Sequence, residues 1–239
     1  MKKRLLNIGC ACMIALLLAG CMYPNNARGG QHVSPRESAV VVQAAVDQYL
    51  ADKRILPIKT FDANTDFYER YAVDMRKLIQ EGYMSQPPPA AFERGGKYYF
   101  VIVDPEEKPT VKMLDISIIQ KAGEVQRAVD DYRRKNHGKL PLGPELSLNW
   151  HDIDYEALRM APVEMKSPFS PQNVALMIHR EGQVAVNYAA EIMKLIQQLN
   201  IENPQERADL RSYLAEHSYF VPAKSVPYIW QDDRSVAEP

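Results

Sequence analysis

The alternation of apolar and polar positions first becomes periodic at Ser34. Apolar side chains recur at Ala39, Val42, Val46, Tyr49 and Leu50, the three-and-four spacing that lines one face of a helix. Ser34-Pro35-Arg36-Glu37 supplies the start: a capping hydroxyl, a proline at the first helical position, and a glutamate placed to close a capping box. The helix should end near Arg54, before the extended Ile55-Leu56-Pro57-Ile58. Two later stretches have the β-branched and aromatic content of half-buried strands. Residues 97–104 and 111–115 flank Pro105-Glu106-Glu107-Lys108-Pro109, and residues 174–179 and 183–188 flank Arg180-Glu181-Gly182. Each pair predicts a β-hairpin.

The helical pattern returns. Val42-Gln43-Ala44-Ala45-Val46-Asp47-Gln48-Tyr49 aligns with Val125-Gln126-Arg127-Ala128-Val129-Asp130-Asp131-Tyr132, with six of eight positions identical. Leu56-Pro57 then matches Leu140-Pro141, and Tyr68-Glu69 matches Tyr155-Glu156. Proline clusters follow, Pro87 to Pro89 in one copy and Pro162, Pro168 and Pro171 in the other, and a hairpin comes after each. Tyr213-Leu214-Ala215-Glu216 before Val221-Pro222 reads as a third, partial copy of Tyr49-Leu50-Ala51-Asp52 before Leu56-Pro57. The expectation is an α+β fold of two tandem helix-plus-β-hairpin repeats with C-terminal helices, packed about a pseudo-two-fold axis. The first repeat would span 35–118 and the second, with the C-terminal helices, 119–230. The charged stretch 231–239 reads as a disordered tail.

Composition narrows the class. The 239 residues are 46% hydrophobic and 25% charged, with net charge −1, which excludes collagen-like and wholly disordered chains. Balanced charge leaves no electrostatic footprint for nucleic acid, so none is expected as a partner.

The N-terminus says where the chain goes. Met1-Lys2-Lys3-Arg4 precedes an apolar run, 5–19, too short to span a bilayer, which takes about 20 apolar residues. Residues 1–20 therefore read as a secretory signal peptide. Its end, Leu18-Ala19-Gly20-Cys21, resembles the lipobox of bacterial lipoproteins. By that resemblance Cys21 receives a diacylglycerol on its sulfur and becomes the new N-terminus, so the membrane is a partner through this lipid. All three cysteines, Cys10, Cys12 and Cys21, lie in this segment, so the exported domain has no thiol pair for a disulfide. Two or more acyl chains hold a protein stably on a bilayer, at about 0.8 kcal/mol per buried methylene. Without Lys2, Lys3 and Arg4, 26 basic residues face 30 acids, a mature net charge of −4 that does not draw the domain onto an anionic surface. Residues 21–34, rich in Pro, Asn and Gly, fit a flexible tether reaching on the order of 20 Å and containing an exposed His32.

Catalytic chemistry is sparse. No phosphate-cradling glycine loop, His-Glu-x-x-His, Cys-x-x-Cys, EF-hand or Gly-x-Ser-x-Gly pattern occurs. The candidate site is Trp150-His151-Asp152-Ile153-Asp154-Tyr155-Glu156, where His151 with Asp152 or Asp154 would ligate a metal or serve as an oriented base. The competing reading makes Asp152 or Asp154 the cap of a helix carrying Tyr155 and Leu158, with His151 at its edge. His137, His179 and His217 read as structural. Strand alternation puts Tyr98 and Phe100 on one face of the first hairpin and Tyr99 on the other, where it would pack under a loop or meet a partner.

These features lead to an expected function: a lipoprotein held at the cell membrane by Cys21 and facing the extracytoplasmic side. It would be a non-enzymatic binding or scaffolding module that contacts an envelope protein or polymer and needs no cofactor. The alternatives are the solute-binding lipoprotein of an uptake system, or an envelope hydrolase using His151 with Asp152 or Asp154.

Overall fold

Ser34 starts the first helix as its neighbours predict. Its Oγ accepts from the Glu37 N–H at 3.2 Å, while Glu37 Oε2 accepts from the Ser34 N–H at 2.9 Å. The computed structural model describes residues 34–59, 61–62 and 65–238. The signal segment, the lipobox with Cys21, and the tether up to residue 33 lie outside the described residues.

Helix α1 runs Pro35–Lys53 and ends at Arg54, whose φ of 60° turns the chain out of the helix. Short helix α2 (Met75–Gln80) leads to the hairpin of β1 (Tyr98–Val103) and β2 (Thr110–Asp115). Asp115 then accepts from the Ser117 N–H and opens α3 (Ile116–Lys135). Strands β3 (Leu142–Ser147) and β4 (Trp150–Ile153) precede the single-turn α4 (Tyr155–Leu158) and the two-residue β5 (Met165–Lys166). A second long hairpin joins β6 (Asn173–His179) to β7 (Val184–Asn187). The chain closes with α5 (Ala189–Gln198), α6 (Arg211–Glu216) and a hairpin of β8 (Tyr228–Gln231) and β9 (Arg234–Ala237).

The class is α+β, as the mixed periodicities predict. Alternation along the first hairpin separates its two faces. Tyr98, Phe100, Ile102, Val111 and Met113 form one core with Ala39, Val42, Val46 and Tyr49 of α1. Val101 and Leu114 point the other way, into a larger core with Val125 and Val129 of α3 and the strands of the second sheet. That sheet is antiparallel, in the order β3-β4-β6-β7, with β5 beside the start of β6. The described residues form a single compact unit.

Several contacts recur in the two halves. Gln43 on α1 donates to the Pro109 carbonyl at 3.0 Å and accepts from the Val111 N–H at 2.6 Å, so it clamps the end of the first hairpin. Gln126 on α3 does the same to Gly182 and Val184, at 2.9 and 2.7 Å. Both glutamines also bond the aspartate one turn on, Asp47 and Asp130. Asp74 caps α2 with its own N–H on the Pro57 carbonyl, and Asp154 caps α4 with its N–H on the Pro141 carbonyl. Asp154 and Asp74 thus share a capping geometry, which no described residue near Tyr68 shows. The match of Tyr68-Glu69 to Tyr155-Glu156 fails because Tyr68 lies in the turn before α2.

The capping reading of 150–156 holds at Asp154, whose side chain caps the helix of Tyr155 and Leu158, while His151 and Asp152 lie not at the helix edge but on β4, between β3 and β6. Two further expectations need correction. The third partial copy does not hold, because the helix that follows β7, as α3 follows β2, is α5, whereas Tyr213 lies in the six-residue α6. Within the tail predicted as disordered over 231–239, Arg234–Ala237 form β9, with Ser235, Val236 and Ala237 buried, and Gln231 ends β8; Pro239 lies outside the described residues. Its turn residues, Asp232 and Asp233, both have positive φ, the geometry of a tight hairpin whose twist matches its strands. The charge that suggested disorder belongs to that turn.

An extended segment then ties the halves together. The Met113 N–H donates to the Tyr219 carbonyl, the Val221 N–H to the Met113 carbonyl, and the Val186 N–H to the Lys224 carbonyl. Residues 219–224 therefore cover edges of both β2 and β7, which would otherwise expose unpaired backbone groups.

Candidate functional site

On the face of the first hairpin turned away from α1, at its turn end, lies a cleft of about 610 Å³, within the size range of small-ligand sites. Val103, Thr110 and Lys112 form its floor, Ala215 and Glu216 of α6 one wall, and Phe67 and Tyr68 another. Alternation dictates the floor: Thr110 and Lys112 share the β2 face on which Leu114 enters the larger core. Phe67 is 49% exposed and meets Tyr68 edge to face at 5.1 Å, so an aromatic ring stands at the mouth.

Lys112 is the unusual member. Only 8% of its surface is exposed, and among the described residues its ammonium makes one hydrogen bond, to the Ser218 carbonyl at 2.6 Å, and no ion pair. Burial lowers its pKa, and the negative charge of Glu216 partly opposes that shift. Glu216 is itself held by the Arg207 guanidinium, with Nη2 3.1 Å from Oε2. An ammonium carries three donors, so Lys112 keeps donor capacity beyond the Ser218 bond.

A polar cluster fixes the adjoining wall. Arg211, 3% exposed, bonds Asp209 at 2.9 Å, Asp66 at 3.3 Å and the Ser225 carbonyl and hydroxyl at 3.1 and 3.2 Å. Its guanidinium lies 5.0 Å from the Tyr68 ring centroid. Burial works to lower the Arg211 pKa, but the bonds to Asp209 and Asp66 outweigh it and the pKa rises. Burial also pushes the Tyr68 phenol up. Lys224 adds a bridge to Glu69 at 3.0 Å, so the 65–70 turn is held to the C-terminal segment from two sides.

The sequence-predicted site residues are placed differently. His151 Nδ1 lies 3.2 Å from the Gly143 carbonyl on β3. Asp154 accepts from the Ala157 N–H at 3.0 Å, as a helix cap does. Asp152 follows His151 on the same strand, so their side chains leave on opposite faces. The three do not converge, and no group of three or more His, Cys, Asp or Glu side chains able to hold a metal occurs among the described residues. His179 meets Trp150 in a tilted ring contact at 4.9 Å, His217 Nδ1 meets the Tyr213 carbonyl at 3.0 Å, and His137 takes a left-handed φ of 54° after α3. Tyr98 and Phe100 are buried toward α1, while Tyr99 packs beside Phe92 at 4.9 Å.

Sequence reasoning missed Lys112 and Arg211. In Val111-Lys112-Met113-Leu114 the lysine reads as an outward strand position. Its ammonium finds its partner, the Ser218 carbonyl, 106 residues later.

A family model described as the YphF family N-terminal domain matches residues 35–115. The match runs from the first residue of α1 to the last of β2, about a third of the chain. Comparison with curated proteins finds no match, and comparison with solved structures finds none either.

Proposed function

We propose that this chain is a lipid-anchored, extracytoplasmic binding module, held at the cell membrane through Cys21 and engaging an envelope protein or polymer through the cleft between β2 and α6. The carrying observation is that cleft: a buried ammonium with spare donors, an aromatic at the mouth, and walls braced by the Arg211 cluster. The lipobox resemblance at Leu18-Ala19-Gly20-Cys21 supplies the anchor. No helix among the described residues is long and apolar enough to cross a membrane. Structural bonds already engage His151 and Asp154, so the reading does not draw on them. We also propose that the two helix-plus-hairpin halves are copies of one unit, supported by the matched clamps of Gln43 and Gln126.

The test is photo-crosslinking in intact cells from a benzoylphenylalanine at position 67, with Cys21→Ser as the unanchored control. Recovery of an envelope component with the anchored form alone is expected. Absence of any crosslink from the anchored protein would overturn the proposal.

A further inference from the structure

Resting on that reading of the cleft, we infer that its ligand is an organic carboxylate attached to an apolar or aromatic body, with the carboxylate on Lys112 and the body between Phe67, Val103 and Ala215. Lysine is almost never fully buried without a paired acid. Here the ammonium has a single carbonyl partner among the described residues, and Glu216 is committed to Arg207. An anion entering the cleft would complete a hydrogen-bonded charge pair where the surrounding walls weaken screening by water. The floor and walls select what accompanies the anion. Val103 and Ala215 offer aliphatic surface, and the half-exposed Phe67 ring offers an edge or face at the entrance. Lys108 among the lining residues adds a second cation, while the lining acids Asp104 and Glu216 disfavour polyanions. Phosphate esters and sulfated polymers fit this balance less well than a single carboxylate on a hydrophobic carrier.

Two sources share this chemistry: the C-terminal carboxylate of a peptide ending in an apolar residue, and a free hydrophobic acid. Purified full-length protein carrying uniformly 13C/15N-labelled, chemically unmodified lysines allows the Lys112 side-chain resonance to be followed by NMR. Acetyl-Ala-Ala-Phe with a free carboxylate, its C-terminal amide, phenylpropionate and phenylpropionamide are the probes. The two acids are expected to raise the Lys112 pKa on binding and the two amides are not. Lys112→Met is expected to weaken acid binding about tenfold or more, the loss of a charge-assisted hydrogen bond. Phe67→Ala, at a half-exposed position, should weaken binding of the aromatic acids, while the acids should still raise the Lys112 pKa when they bind. Tighter binding of the peptide than of phenylpropionate supports the peptide source, and the reverse order supports the free acid. Amides that bind as well as acids, or acids that bind Lys112→Met as tightly as wild type, would overturn the inference. If position 67 crosslinks an envelope partner while the acids leave Lys112 unmoved, the ligand class fails and the binding-module reading stands.

Discussion

Replacing Arg211 by methionine should be among the most costly single changes in the C-terminal segment. The guanidinium holds Asp209, Asp66 and Ser225 together and lies against the Tyr68 ring. Methionine fills similar volume but leaves two carboxylates without their cation. Breaking a buried pair by removing one partner costs about 3–5 kcal/mol. The Asp209 and Asp66 side chains keep 29% and 27% exposure, so water recovers part of the loss and the lower end applies. About 3 kcal/mol in a chain of this size corresponds to a fall in Tm of about 6–12 °C. Arg211→Lys keeps the charge and loses the fork, so its fall should be roughly half as large. Thermal unfolding of the full-length protein followed by circular dichroism measures both. If Arg211→Met melts with wild type, or if lysine and methionine cost the same, the cluster does not hold this wall through charge and geometry.

Gln43→Ala and Gln126→Ala should each cost about 1–3 kcal/mol, because each leaves a strand N–H and a turn carbonyl without their clamp. Hydrogen exchange should accelerate at Val111 in the first and at Val184 in the second, and exchange that moves in neither would refute equivalent roles. Lys112 has a lowered native pKa, so the native state binds fewer protons than the unfolded chain between that value and the ordinary lysine value of 10.5. Wild-type stability should therefore rise with pH through that window, until the raised pKa values of buried Tyr68, Tyr188 and Tyr228 reverse the trend above about pH 10. Lys112→Met should be more stable than wild type near neutral pH and lack that rise, as denaturant titrations at stepped pH would show. Cys21→Ser should leave the membrane fraction or retain its signal segment, and a cleaved variant still bound to membranes would refute the anchor.

The local patterns in the chain sufficed for the elements whose stability is local. Ser34-Pro35-Arg36-Glu37 specifies a helix start because all of its bonds close within four residues. The two long hairpins followed from β-branched runs around short polar turns. The Val-Gln-x-Ala-Val-Asp echo was legible too, although its meaning was not: the glutamine of each of the two stretches, Gln43 and Gln126, reaches a hairpin more than fifty residues away. Strands β3 and β4 lacked a readable alternation because the bulged register between them breaks the two-residue period. The C-terminal hairpin was hidden by a turn whose two aspartates look like a solvated tail until their positive φ values are seen.

What the tertiary structure decided is where charge is buried. Lys112 and Arg211 carry no distinguishing neighbours in the chain, and each becomes buried only when segments far apart in sequence close over it. Burial by distant segments leaves no local period, because the desolvation of an ammonium depends on what packs against it and not on the residues beside it. The proposed anchor rests on four consecutive residues, Leu18-Ala19-Gly20-Cys21, whose resemblance needs no fold to be seen; the cleft is a relation between β2, α6 and the 65–70 turn, and exists only once the chain has folded.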